Sequence, residues 1–178
     1  MTPFALVWDQ VMSVSVFAGI FASFGLIVAL LTPKTPYGKA VIDFVHKNIL
    51  GVAFFINFAA LVGSLVYSNV IGYPPCLLCW YARVAFYPQV ILFAIAIFKN
   101  DRKIIDYAIG LTAFGLLITG FHSMIQWVGE SPIPCSADGI SCVTRQVFTY
   151  GFITIPFMGF IGFLVLFLCL YLSKRQAK

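Results

Sequence analysis

Five long apolar stretches, at 7–32, 49–72, 80–98, 104–128 and 150–172, leave only short polar connections in this chain of 178 residues. Each runs to about 19 to 26 residues, enough at ~1.5 Å per residue to cross a hydrocarbon layer of ~30 Å. A backbone amide in lipid finds no water to bond, so segments of this kind satisfy themselves internally as helices. Only 10% of the residues are charged and 61% are hydrophobic, against about 25% charged in a soluble domain. The expected fold class is therefore all-α and integral to a membrane: one domain of five transmembrane helices, with no internal repeat and no low-complexity tract.

The net charge of +5 would suit a nucleic-acid partner, but the placement of the charges argues for topology instead. Lys34, Lys39 and Lys47 lie between the first and second stretches, Lys99, Arg102 and Lys103 between the third and fourth, and Lys174, Arg175 and Lys178 after the fifth. These nine of the eleven basic residues fall on alternate connections, hence on one side. The positive-inside bias makes that side cytoplasmic. The N-terminus, which carries Asp9 and no basic residue before Lys34, then faces outward, as do the connections 73–79 and 129–149. The first stretch lacks a basic leading region and a convincing small-x-small cleavage site. It is expected to remain as a helix rather than to act as a signal peptide.

The cysteines sort by side. Cys76, Cys79, Cys135 and Cys142 fall in the two outward connections, and Cys169 near the cytoplasmic end of the fifth stretch. Disulfides persist outside the cytoplasm and are rare within it, so four outward thiols form a set of their own. Cys169 reads as a small apolar residue with no assigned role. Three readings compete for the set: a tetrahedral zinc site, a pair of structural staples and a redox relay. Six residues separate the second pair ("CSADGISC"), a spacing less typical of zinc knuckles. Staples do not explain why "CLLC" abuts a membrane helix; a relay explains both placements, and no resident metal is expected.

A Cys-x2-Cys pair becomes reactive when one sulfur is held as thiolate, which helix N-termini and nearby cations favour. Pro74 and Pro75 end the preceding helix and extend the chain, so a new helix is expected to start near Cys76. Arg83 follows Cys79 by four residues and shares its helical face. Its guanidinium cannot deprotonate, although an arginine at that depth also serves simply by reaching to headgroups. The outer end of the fourth stretch, "FHSMIQWVGE", sets His122 and Gln126 one turn apart on one face. A lone histidine there can be satisfied by water. Arg83, His122 and Gln126 nevertheless stand out as donors for a membrane-dissolved electron acceptor such as a quinone, beside Trp80 and Trp127, which also suit an interfacial belt.

At these residues the chain resembles the DsbB family of disulfide-generating membrane oxidoreductases, including its shorter Gram-positive relatives. The resemblance covers roughly 48–172 and rests on "CLLCWYAR" leading a helix, "HSMIQ" late in the next, and an outward loop with "PC" then "SCVTRQ", with Pro156 in the last helix. It implies a four-helix bundle in a bacterial inner membrane that binds ubiquinone or menaquinone and reoxidises a DsbA-like thioredoxin-fold partner, the route that keeps the periplasm oxidising. It further implies that Cys76 and Cys79 are the quinone-coupled pair, Cys79 nearest the quinone, and that Cys135 and Cys142 are the second pair, Cys135 being attacked by the partner. Arg83 and His122 match residues at the quinone site; Arg145 and Gln146 match an Arg-Gln pair of open role.

Three features depart from the pattern. The helix at 7–32 has no counterpart, Ala82 stands where some members carry an acid, and only six residues separate Cys135 from Cys142, which restricts partner exchange through a Cys76–Cys142 intermediate. The nearest rival enzyme is a vitamin-K-epoxide-reductase-like quinone reductase, in which the Cys-x2-Cys follows the loop pair instead of preceding it. A non-catalytic membrane protein with stapled outer loops is the rival from another class.

Overall fold

The computed structural model describes residues 2–131, 136–137 and 140–176. Its helices are α1 (Pro3–Leu31), α2 (Pro36–Leu65) extended by a π-helical turn at Val66–Val70, α3 (Leu77–Lys99), α4 (Ile104–Val128) and α5 (Ile155–Gln176). All five are long and apolar enough to cross a membrane. Between α4 and α5 two short strands, β1 (Ser136–Ala137) and β2 (Ile140–Ser141), pair antiparallel.

Two boundaries differ most from the apolar stretches, each for a local reason. Helix α2 begins at Pro36 rather than near 49, because Thr35 caps it by accepting a hydrogen bond from Gly38 N (3.1 Å) and Pro36 occupies its first turn. Proline is well suited there, since its missing N–H is one the helix leaves unpaired anyway. The polar residues that follow are helical too; hydropathy marks where lipid lies, not where helical hydrogen bonding starts. Helix α5 begins at Ile155 rather than at 150, because Tyr150 (φ 52°) and Gly151 (φ 76°) are left-handed. They close a turn in which Thr149 and Ile153 exchange backbone hydrogen bonds of 3.0 and 2.9 Å.

The core at one end joins α2, α3 and α5 through Ile49, Ala53, Phe93, Leu166 and Leu170. Further along, α4 and α5 approach closely at Gly115, where the ring of Phe163 fills the space a Cβ would take. The same ring stacks on Phe86 with centroids 3.6 Å apart. Fixed interhelical hydrogen bonds do what the hydrophobic effect cannot do between helices in lipid: Thr112 of α4 donates to Gln89 of α3 at 3.2 Å.

Apart from Arg83 and Arg145, the described basic residues collect at one end of the bundle. His46 bridges there: its Nε2 accepts from Arg102 (2.9 Å) and its Nδ1–H donates to the Ser173 carbonyl (3.1 Å). Lys174 pairs with Asp106 at 2.6 Å. The two cysteines that begin α3 lie at the opposite end.

Helix α1 is fastened at the cysteine end by polar contacts. Asp9 is 3% exposed and accepts a hydrogen bond from Tyr67, in the π-helical turn of α2, at 3.0 Å. Ser13 meets Thr149 at 2.7 Å, and Tyr150 donates to Gln10 at 2.8 Å. The π-helical turn carries the one extra residue per turn that re-aims a side chain inside an otherwise regular helix. Replacing Tyr67 by Phe keeps the ring and removes the donor, leaving a buried carboxylate with its desolvation uncompensated, a loss of about 1–3 kcal/mol. We expect Tyr67→Phe to lower the thermal midpoint of the detergent-solubilised protein. Tyr107→Phe, at an exposed site, should leave it unchanged; equal midpoints for the two variants would rule the anchor out.

Candidate active site

The chain turns at Gly72 (φ 85°) and runs extended through Pro74 and Pro75 to Cys76, the N-cap of α3. The cap carbonyl accepts from Trp80 N at 3.2 Å, which places Cys79 in the first helical turn. Both thiols are free, with their Sγ atoms 3.0 Å apart. Cys76 is buried and Cys79 partly so.

His122 and Gln126 project from the last turns of α4 into the same place, and both are buried. His122 Nε2 lies 3.1 Å from the carbonyl oxygen of Cys142 and 3.7 Å from Cys76 Sγ. A bond to a carbonyl requires the ring proton on Nε2, so that one N–H points at both acceptors. Gln126 Nε2 donates to the carbonyls of Cys142 (3.4 Å) and Thr144 (3.0 Å). The backbone of Cys142, which is disulfide-bonded and 1% exposed, is thereby held against the Cys76–Cys79 pair. Cys76, Cys142, Leu78 and Ile125 form one buried cluster. Cys135 lies outside the described residues.

Arg145 and Gln146, whose role the sequence left open, lock this loop from the other side. Arg145 Nε donates to the Gln126 carbonyl (2.7 Å) and Nη2 to the Trp127 carbonyl (3.3 Å). The end of α4 leaves these carbonyls unpaired, and the guanidinium suits its negative pole. Gln146 Nε2 donates to the Pro74 carbonyl at 2.9 Å, which ties the loop to the turn ahead of Cys76. A cavity of about 20 Å³ remains, lined by Cys76, Cys79, His122, Gln126, Thr144 and Gln146 among others. That is room for one water-sized occupant. Gln126 Oε1 is buried and has no hydrogen-bond partner among the described residues.

Arg83 faces a different surface. Its Nε donates to Ser64 Oγ (3.0 Å) and its Nη2 to the Ser64 carbonyl (3.4 Å) on α2. The guanidinium lies over Trp80 and near Tyr87, with 5.0 and 6.0 Å to the ring centroids. Nothing in the sequence pattern marked Ser64 or Tyr87 as its partners, since both lie within apolar runs. The Cys76 thiol is pushed down to about 4, first by the hydrogen bond from the Cys79 thiol, with His122 adding to it and burial opposing.

A reactive thiol pair at the start of a membrane helix, held against a disulfide-bonded cysteine by fixed donors, is the apparatus of a membrane thiol oxidoreductase. Residues 46–173 match the family described as disulfide bond formation protein DsbB, and the chain belongs to that family. It is 34% identical over 137 residues to the probable disulfide formation protein C 2 of Bacillus cereus, covering 76% of this chain and 99% of that one. It is 35% identical over 130 residues to the disulfide bond formation protein C of Bacillus subtilis, with 71% and 94% covered. To the SPbeta prophage-derived disulfide bond formation protein B of Bacillus subtilis it is 35% identical over 135 residues, 74% of this chain and 91% of the other. No solved structure shows a significant match. The protein is thus a multi-pass membrane protein of disulfide formation, and α1 precedes the matched stretch.

The thiolate is the nucleophile, so reactivity follows its population. A thiol at the ordinary value of 9.0 loses most of its thiolate below pH 8, whereas Cys76 at about 4 keeps it down to about pH 5 and loses it only as the pH falls further. Modification of reduced Cys76 by a small methanethiosulfonate, followed by mass spectrometry, should be flat from pH 8 to pH 6. A rate that rises about tenfold per pH unit over that range would mean an ordinary thiol.

Proposed function

We propose that this protein reoxidises a DsbA-like thioredoxin-fold dithiol partner and delivers the electrons to a membrane quinone, so sustaining disulfide formation. The observation that carries the reading is the shared grip of His122 and Gln126 on the Cys142 carbonyl, which sets the loop cysteine beside the Cys76–Cys79 pair. The positive-inside bias supports an orientation with the basic end in the cytoplasm and the cysteines on the outer face of a bacterial inner membrane.

The exchange runs in two balanced stages. A partner thiolate attacks Cys135 in a Cys135–Cys142 disulfide and frees Cys142 as thiolate. The partner's second thiol then resolves the mixed disulfide and leaves oxidised. Cys142 attacks Cys76 of the oxidised Cys76–Cys79 pair, and Cys79 departs as thiolate. Cys135 closes back on Cys142, and Cys76 leaves as the second thiolate, so that two electrons in all have passed to the inner pair. The His122 N–H, 3.7 Å from Cys76 Sγ, favours Cys76 as the leaving sulfur in that last step.

The donor set fits a quinone on one side only. The cavity beside His122 is too small for a quinone ring, and both His122 and Gln126 are engaged with the loop. Arg83, half-buried between α2 and α3 with Trp80 and Tyr87 around it, offers donors for a carbonyl oxygen and flat neighbours for a ring. Cys79 stands one turn away on the same helix. We therefore place the quinone contact at Arg83, reached from the lipid. Ubiquinone or menaquinone, when bound, supplies an acceptor for two electrons and two protons. The chain's part is to hold the Cys79 sulfur near a permanent positive charge and to keep water from it.

Purified enzyme with a reduced thioredoxin-fold oxidase and a short-chain quinone tests this. Cys79→Ser should abolish quinone reduction. Arg83→Lys, which keeps the charge but loses the fork of donors, should raise the KM for quinone about tenfold or more with a smaller effect on kcat. Wild-type turnover in Cys79→Ser would remove the assignment. In Cys142→Ser the partner should be trapped as a mixed disulfide on Cys135, identified by peptide mapping.

A further inference from the structure

We propose that the reduced form of this site is a zinc site, with Cys76 Sγ, Cys79 Sγ and His122 Nε2 as ligands and a water in the fourth position. The three ligand atoms come from the starts and ends of different helices, yet all lie within 4.8 Å of one another. In a tetrahedral zinc site, bond lengths of about 2.3 Å to sulfur and 2.0–2.1 Å to imidazole put sulfur and nitrogen about 3.6 Å apart, and two sulfurs about 3.8 Å apart. Cys76 Sγ and His122 Nε2 already stand at 3.7 Å. The two sulfurs, at 3.0 Å, need to part by less than an ångström, and Cys79 Sγ, within 4.8 Å of His122 Nε2, must close to about 3.6 Å; both adjustments fall on the Cys79 side chain.

Two further observations point to a small polar occupant. The cavity that these residues line has room for one water-sized body, and it is walled by Gln126, whose buried Oε1 has no partner among the described residues. A metal-bound water needs such an acceptor. Two thiolates and an imidazole select zinc over the oxygen-seeking divalent ions, and two thiolates neutralise the metal's charge, which suits a site bounded by lipid. The balance involves no redox change. Zinc enters, both sulfurs coordinate as thiolates, and any thiol proton goes to solvent. The His122 ring proton moves from Nε2 to Nδ1. The Cys142 carbonyl loses that donor but keeps Gln126. Oxidation to a Cys76–Cys79 disulfide removes two ligands and releases the metal.

The site is then a redox-gated trap, and zinc arrests electron flow by holding the pair reduced. The arrest rests on the thiol-oxidation reading; the binding does not. Cobalt, which reports thiolate coordination by a sulfur-to-metal charge-transfer band, is the probe. The full chain in detergent is reduced with a phosphine, freed of reductant without air and titrated with cobalt chloride. We expect one equivalent per reduced chain, displaced by one equivalent of zinc, and no band once Cys76 and Cys79 are oxidised. His122→Gln keeps a donor for the Cys142 carbonyl and should weaken cobalt binding at least tenfold. Cys169→Ser, remote from the cluster, should leave binding unchanged. No thiolate band in the reduced wild type, or equal affinity in His122→Gln, overturns the proposal. Metal-free turnover measured alongside keeps the two readings apart: turnover without a cobalt band removes the zinc site alone, and a band without turnover removes the oxidase alone.

Discussion

The carbonyl oxygen of Cys142 is the point on which the cysteine end of this molecule is assembled. Two side chains from one face of α4, His122 and Gln126, both reach it, and a third group, Arg145, ties the following loop to the end of the same helix. A loop in water is ordinarily mobile, because its backbone groups bond solvent as readily as protein. Here the backbone on both sides of Cys142 is paired to fixed donors or acceptors, and Gln146 fastens it to the turn before α3. Thiol exchange needs sulfurs brought to contact along a line of attack. A short loop clamped at its end cysteine achieves that with little motion, which offsets the reach it lacks.

Much of the fold was legible because a lipid-buried backbone admits one solution. Five apolar stretches of spanning length become five helices, and alternate basic connections gather at one end. The boundaries were not legible from hydropathy. Helix α2 starts at Pro36 because Thr35 and Pro36 cap it, and α5 waits until Ile155 because Tyr150 and Gly151 turn left-handed. Capping and φ angles set these ends, and apolar content does not report them. The site was readable as an inventory: the Cys-x2-Cys, His122, Gln126 and Arg83 all stood out by residue type and depth. Their partners did not. Helical spacing puts Arg83 on the face of Cys79, yet the long side chain turns to Ser64 on α2, and no pattern within α3 predicts which neighbouring helix offers a hydroxyl. Likewise Arg145 and Gln146 bond to backbone carbonyls, which have no sequence signature at all.

Helix α1 shows the same division. Its length and apolarity mark it as a span, but what fixes it is a buried carboxylate, Asp9, met by Tyr67 from a π-helical turn. Between apolar helices in lipid, association comes from packing and from polar contacts rather than from expulsion of water. A single acid with a single phenolic donor therefore sets the rotation of α1 about its axis, and the hydroxyls of Ser13 and Thr149 set its height. The turn that carries Tyr67 also leads, through Gly72 and the two prolines, to Cys76. The anchor of α1 and the start of α3 are thus set by one irregular stretch of backbone, so displacing α1 would be felt at the thiols.

The separation of Arg83 from the Cys76–His122 contact gives the pair a direction. Two sulfurs in identical surroundings would share charge and pass electrons either way. In this site Cys76 sits at the cap of α3, 3.0 Å from the Cys79 sulfur, and faces His122 and the loop. Cys79 lies in the first turn of α3, four residues before the arginine. In the proposed exchange Cys142 engages Cys76 and frees Cys79, and the cation four residues on then compensates the charge on that sulfur. The arginine need not touch the resting pair to matter. Bonded to Ser64 and stacked against Trp80, it is fixed where the proposed quinone contact lies, and in that proposal the charge moves toward it only when exchange has begun.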